Sequence, residues 1–222
     1  LFFEICKSFE GKKIDSFILH SIRELKKIRE FLKGGKQTRR SEVLGLYAEM
    51  LVFKKLLTKL QSERQLLAGW GRPERHPQDF VLSETAYEVK FKGRAKVAVR
   101  VDSERQLDFD GDLFLIIVSA DSKFDIEKEE CAFKNLYTQI LSDLSEEGKE
   151  AFRSKIKVGD IQYDSGIHSL GLVISTLSSN NYIVNDEFPR ITPRALPDGI
   201  SKVSYTINTD LIKKFIDNEY FK

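Results

Sequence analysis

The chain has 222 residues, 41% of them hydrophobic, enough to bury one good core and to hold one domain with appendages or two small ones. Lys and Arg number 36 against 34 Asp and Glu, so no strong net charge announces a nucleic-acid binder, and no apolar run is long enough to span a membrane. Two cysteines, Cys6 and Cys131, are too few for a disulfide framework or a zinc site; they read as small buried hydrophobes in a reducing cytoplasm. The first residue is Leu, so the natural start of the chain is expected to precede it.

In chain order, residues 14–33 predict an amphipathic helix, with Ile14, Phe17, Ile18, Ile22, Leu25, Ile28 and Leu32 on one stripe and Gly34-Gly35 as its stop. A basic stretch, Lys33 through Arg40, leads to a second helix over about 41–60. Ser41 is its expected N-cap, and residues 43, 46, 50, 53 and 57 form its apolar face. Glu49 lies beside that face, a poor place for a carboxylate without a partner. Residues 69–78 form a Gly/Pro-punctuated loop, in which Trp70 reads as a packing residue.

Three strand-like runs follow, 79–82, 86–91 and 96–101. A polar crossing at 103–108 leads to Asp112-Leu113-Phe114-Leu115-Ile116-Ile117-Val118, whose length and β-branched content predict a buried central strand. The runs at 79–82, 86–91, 96–101 and 113–118 are expected in one mixed sheet flanked by the 41–60 helix. Residues 130–153 are helical with a break near Gly148; 161–164, 168–176, 181–185 and 203–207 look like strands. Asn208 or Thr209 is expected to cap a final helix through Tyr220. This divides the chain into an N-terminal helical segment (1–40), a core (41–122) and a C-terminal α+β extension packed on it (123–222).

The chemistry concentrates in the first two strand-like runs of the core, 79–82 and 86–91. Strand side chains repeat every two residues, so Glu88 and Lys90 share a face while Val89 points to the core. Hairpin pairing of 79–82 with 86–91 can bring Asp79 next to them. Two carboxylates together form an oxygen-rich site for a hard divalent cation, and a lysine beside it can orient or help deprotonate an attacking water. Glu-x-Lys occurs four times, at Glu10-Lys12, Glu24-Lys26, Glu88-Lys90 and Glu147-Lys149. Only Glu88-Lys90 lies in an alternating strand with an Asp at the end of a preceding apolar run; the others read as solvated surface. Its bland alternative is an edge strand whose outward face is charged.

Several segments, in order, resemble the PD-(D/E)XK nuclease superfamily, and most closely the bacterial PD-(D/E)XK motif proteins. They are Gly45-Leu46-Tyr47-Ala48-Glu49-Met50, Trp70-Gly71-Arg72-Pro73, His76-Pro77-Gln78-Asp79-Phe80, Glu88-Val89-Lys90, Ser103 to Leu107, Phe188-Pro189-Arg190-Ile191 and Leu196 to Ile200. The resemblance implies an α/β, restriction-endonuclease-like core. It implies Asp79 and Glu88 as metal ligands, Lys90 as the residue handling the nucleophilic water, Glu49 as an accessory ligand and Gln106 as a neighbour. It further implies a Mg²⁺-dependent DNA endonuclease, with Mn²⁺ able to substitute, in bacterial restriction or phage defence. DNA is then the partner, with a second copy of the chain for cutting both strands and other defence-system proteins as further partners. Arg72, Arg75, Lys92 and Arg94 cluster around the site and are the candidate phosphate contacts. His76 is the one histidine near it. The competing expectation is a catalytically idle DNA-binding or assembly module that keeps the fold.

Overall fold

The computed structural model describes residues 36–60, 62–72, 76–124, 132–158, 161–162 and 172–217. The expected helix over 14–33, both cysteines, His20, His168 and Arg75 lie outside the described residues. The chain divides into two units, Leu1–Glu42 and Val43–Lys222; of the first, only the opening of one helix is described.

That helix, α1 (Lys36–Lys59), begins five residues before the expected N-cap, so Ser41 stands inside it and is exposed. Lys36-Gln37-Thr38-Arg39-Arg40 contains no breaker and is mostly good helix former, which lets the helix run back past Ser41. Val43, Leu46, Met50 and Phe53 are buried as expected, joined by Tyr47, Ala48, Val52 and Leu56. A short helix, α2 (Glu63–Gly69), then starts at Ser62, whose side chain accepts the Gln65 N–H. The sequence reading had no helix there.

Four strands make the central sheet, in the order β1 (Phe80–Leu82), β2 (Thr85–Gly93), β4 (Asp112–Phe124) and β7 (Leu172–Ile183). β1 pairs antiparallel with β2, β2 parallel with β4, and β4 antiparallel with β7. The 113–118 run therefore lies beside Glu88, as expected: Glu88 is opposite Leu115 and Lys90 opposite Ile117. The 96–101 run does not join this sheet. It forms β3 (Ala98–Val101), which pairs antiparallel with β8 (Tyr205–Asn208). Of the two edges of β2, one is paired along its whole length by β4 and the other only over Thr85–Tyr87, by β1.

The sheet separates two apolar clusters. On one face Tyr87, Val89, Ile116 and Val118 pack with α1, α2 and two later helices, α3 (Ala132–Asp143) and α4 (Glu146–Lys155). Its centre is aromatic, with Trp70 stacked on Phe80 and Phe53 and Phe152 tilted against it. On the other face Ala86, Leu115 and Ile117 pack with Val99, Val101, Leu107, Tyr182 and Ile207. The break between α3 and α4 comes at Ser145, which caps α4 through the Gly148 N–H; Gly148 itself is helical.

The C-terminal part is woven into the core. A boundary at 122–123 falls inside β4, β7 supplies an edge of the central sheet, and β8 completes the ladder with β3. Two short pieces, β5 (Lys157–Val158) and β6 (Ile161–Gln162), pair with each other. Residues 172–176 and 181–183 belong to one continuous strand, not two. The final helix is also absent up to Asp217, where the chain forms turns and a 3₁₀ segment, Lys213–Phe215. Thr209 is not free to cap: its N–H and hydroxyl both donate to the Val97 carbonyl. The Asp217 N–H donates to Asn181 O, and Ile216 bridges Tyr182, so this segment is bound to the sheet instead.

Candidate active site

Asp79, Glu88 and Lys90 are brought together by the β1–β2 hairpin. Phe80 pairs with Tyr87, which puts Asp79 at the level of Glu88. Asp79 Oδ2 accepts the Val89 N–H at 2.8 Å. Its own carbonyl accepts the Gly71 N–H at 2.8 Å, and Trp70 bridges Phe80, so the Trp70-Gly71 stretch clamps the residue in place. A Cβ at Gly71 would meet the Gln78 carbonyl at 2.9 Å, which explains a glycine at this close approach. Along β2, alternation sends Tyr87 and Val89 to the helical side and puts Glu88 and Lys90 with Ala86 on the other.

Glu88 is 1% exposed. One oxygen, Oε1, meets Lys90 Nζ at 2.7 Å, and the other, Oε2, is buried with no hydrogen-bond partner. Burial pushes its carboxyl up to about 7, with Lys90 pulling the other way and the charges of Glu49 and Asp102 adding to the rise. Asp79 is raised well above the usual carboxylate range, first by burial, then by Glu88 and Glu49; Lys90 and the Val89 N–H oppose this. Burial works against the charge on Lys90, but Glu88, Asp79 and Asp102 outweigh it and raise its pKa. Lys90 is therefore an ammonium beside two carboxyls that resist losing their protons together.

The ammonium is held from three sides. Besides Glu88 it meets Gln106 Oε1 at 3.0 Å and Asp102 Oδ2 at 3.5 Å. Gln106 Oε1 also accepts the Asp102 N–H at 2.7 Å, so this glutamine does reach back to the hairpin. Sequence reasoning missed what fixes it. Gln78, 2% exposed, donates through Nε2 to the carbonyls of Arg105 at 2.8 Å and Asp108 at 3.0 Å. Arg190 donates to the Leu107 carbonyl at 2.8 Å. Glu104 Oε2 accepts the Val203 N–H at 2.9 Å, tying the same turn to the approach of β8. Asp102 was also passed over, although its place one residue after a strand and four before Gln106 was the available signal.

Glu49 has found a different partner from the one expected. Its carboxylate takes a two-point bond from Arg72, at 2.6 Å from Nε and 2.7 Å from Nη2, and a third from Trp70 Nε1 at 2.9 Å. Arg72, expected to face DNA, is thereby committed to Glu49, and Trp70 is more than a packing residue. Lys92 donates to the Lys96 carbonyl at 2.7 Å, and Arg94 and His76 are exposed.

Among the described residues, no three His, Cys, Asp or Glu side chains gather as a ready metal cage. The donor set that fits a hard cation is the pair Asp79 and Glu88: two carboxylates in conflict, one with a buried oxygen still lacking a partner. A hard divalent cation suits such a set, because it can take one or two carboxylates and complete its shell with water and phosphate oxygens.

No curated protein and no solved structure matches the chain. The mixed sheet with four α-helices among the described residues is an α/β arrangement consistent with a restriction-endonuclease-like core. Residues 1–210 match the model of the DUF4420 family, described as "Putative PD-(D/E)XK family member", and the chain belongs to that family.

Proposed function

We propose that the chain is a Mg²⁺-dependent DNA endonuclease that hydrolyses phosphodiester bonds, with Asp79 and Glu88 holding the cation and Lys90 beside the attacking water. Glu88 carries this reading. A buried carboxylate oxygen left without a partner costs about 1–3 kcal/mol, and more for a charged group. A divalent ion shared with Asp79 removes that cost and the repulsion between the two carboxyls. When bound, such an ion polarises phosphoryl oxygens and makes its coordinated water more acidic. The protein's part is orientation and charge. Lys90, steadied by Gln106, presents an ammonium where negative charge develops on the phosphoryl group. Gln78 and Arg190 keep Gln106 in place through the 103–108 turn. Mn²⁺ should substitute, and a role in bacterial restriction or phage defence, with a second copy of the chain cutting the other strand, is part of the same proposal.

A second reading is an idle DNA-binding module. It is favoured by one observation: the Glu88–Lys90 ion pair at 2.7 Å already neutralises one carboxylate. The two readings separate in a plasmid-cleavage assay with Mg²⁺, Mn²⁺ or EDTA. The nuclease reading expects metal-dependent nicking that Lys90→Ala slows by about a hundredfold, the worth of one preorganised donor, with duplex affinity nearly kept. Cleavage by Lys90→Ala at the wild-type rate under single turnover would sink the mechanism.

A further inference from the structure

Asp79 is the least anchored member of the site. Glu88 and Lys90 lie inside β2, which β4 pairs along its whole length, whereas Asp79 stands one residue before β1 begins. Two hydrogen bonds hold it instead: the Val89 N–H to its carboxylate and the Gly71 N–H to its carbonyl, both at 2.8 Å. Gly71 has no side chain by which to be fixed, so its neighbours aim it. Trp70 Nε1 and the Arg72 guanidinium both donate to Glu49, on α1. Lys155, on α4, donates to the carbonyls of Trp70 at 2.9 Å and Arg72 at 2.5 Å. The residues on either side of Gly71 are thus tied to two helices.

Glu49 has little left to offer a cation. Its Oε2 accepts from Trp70 Nε1 and Arg72 Nε, and its Oε1 from Arg72 Nη2. That uses all but one of the roughly four lone-pair sites of a carboxylate. The planar guanidinium fork also neutralises the charge in place, with the two side chains only 8% and 29% exposed. We propose that the Glu49–Arg72 pair is a latch for Asp79: it locks the Trp70–Arg72 stretch so that the Gly71 N–H keeps Asp79 at the level of Glu88. Glu49 and Arg72 are then positioning residues, not a cation ligand and a phosphate contact. This rests on the cation-holding reading of Asp79 and Glu88 above.

The test follows amide hydrogen exchange at Gly71 and Val89 in EDTA, with Ile116 in the central strand as the reference for global opening. Arg72→Leu should speed exchange at Gly71 and Val89 by about tenfold beyond any change at Ile116, the size of one lost charge-assisted hydrogen bond. Arg72→Lys, which keeps the charge but not the two-point geometry, should fall between. Should the carboxylate stranded by Arg72→Leu prevent folding, Glu49→Leu/Arg72→Leu replaces the pair with apolar side chains and carries the same expectation. Wild-type exchange at both amides, or an equal rise at all three, overturns the proposal. Calorimetry with Mn²⁺ then separates the roles by sign. A latch makes Arg72→Leu bind more weakly, as Glu49→Leu does, with the double variant no worse than either. A cation ligand released from its arginine would bind as tightly or more so, and that result in Arg72→Leu overturns the proposal as well. A wild type that takes up no Mn²⁺ ends the cation-holding reading alone; faster exchange at Gly71 and Val89 in Arg72→Leu still supports the latch.

Discussion

Glu88 makes the site's electrostatics measurable one residue at a time. Its carboxyl sits near 7 in the folded chain, against about 4.3 unfolded. Between those values the native state holds a proton that the unfolded state has released. The stability this group contributes is thus fully present below the unfolded value and lost as pH rises through 7. In EDTA, urea unfolding should show the wild type losing on the order of 1–3 kcal/mol from this group between about pH 5 and pH 8. Glu88→Gln should flatten that slope and be the more stable protein at the higher pH; a variant with the wild-type slope would assign the strain elsewhere. Asp79→Ala should sharply weaken Mn²⁺ binding measured by calorimetry, since the ion loses one of two carboxylates. Unchanged binding would remove Asp79 from the site.

The 103–108 turn is the element on which the placement of Lys90 depends. Its backbone carbonyls are held by Gln78 and Arg190, its Glu104 holds the approach to β8, and its Gln106 meets the ammonium. Gln78→Leu keeps the volume but leaves the Arg105 and Asp108 carbonyls unpaired, so it should cost about 1–3 kcal/mol in urea unfolding. It should also slow cleavage more than it weakens duplex binding, because the turn orients Lys90 and not the bulk of the phosphates. Equal losses in both would make Gln78 a general scaffold residue. The hairpin bearing Asp79, Glu88 and Lys90 was legible in the sequence because its geometry is local: alternation and a short turn are enough to place all three. The turn was legible only as polar residues, since its anchors arrive from positions 78 and 190. Glu49 shows the same limit from the other side. A carboxylate near an apolar stripe announces a partner, but not that the partner is Arg72.

Across the whole molecule, the alternating runs announced strands without saying which edges they would take. The run at 96–101 reads like its neighbours, yet its ladder lies with β8 and not with the hairpin that precedes it. The same blindness made residues after 122 look like an extension, although β7 covers Ile116 and Ile117 of the central strand. Truncation after residue 158 should therefore abolish cooperative unfolding rather than trim an appendage. Circular dichroism during heating would check this, and a sharp transition in the shortened chain would restore the extension view.

The β3–β8 ladder joins positions about a hundred residues apart, as the Arg100–Ser204 contact illustrates with a separation of 104. Closing so long a loop carries an entropic cost that must be met before its contacts form, and such non-local pairings slow folding. During synthesis the acidic hairpin thus leaves the ribosome well before β8 can dock over its face. A nascent chain holds Asp79, Glu88 and Lys90 without the layer that steadies them, so the competence proposed for this site would be the last property the molecule acquires, not the first.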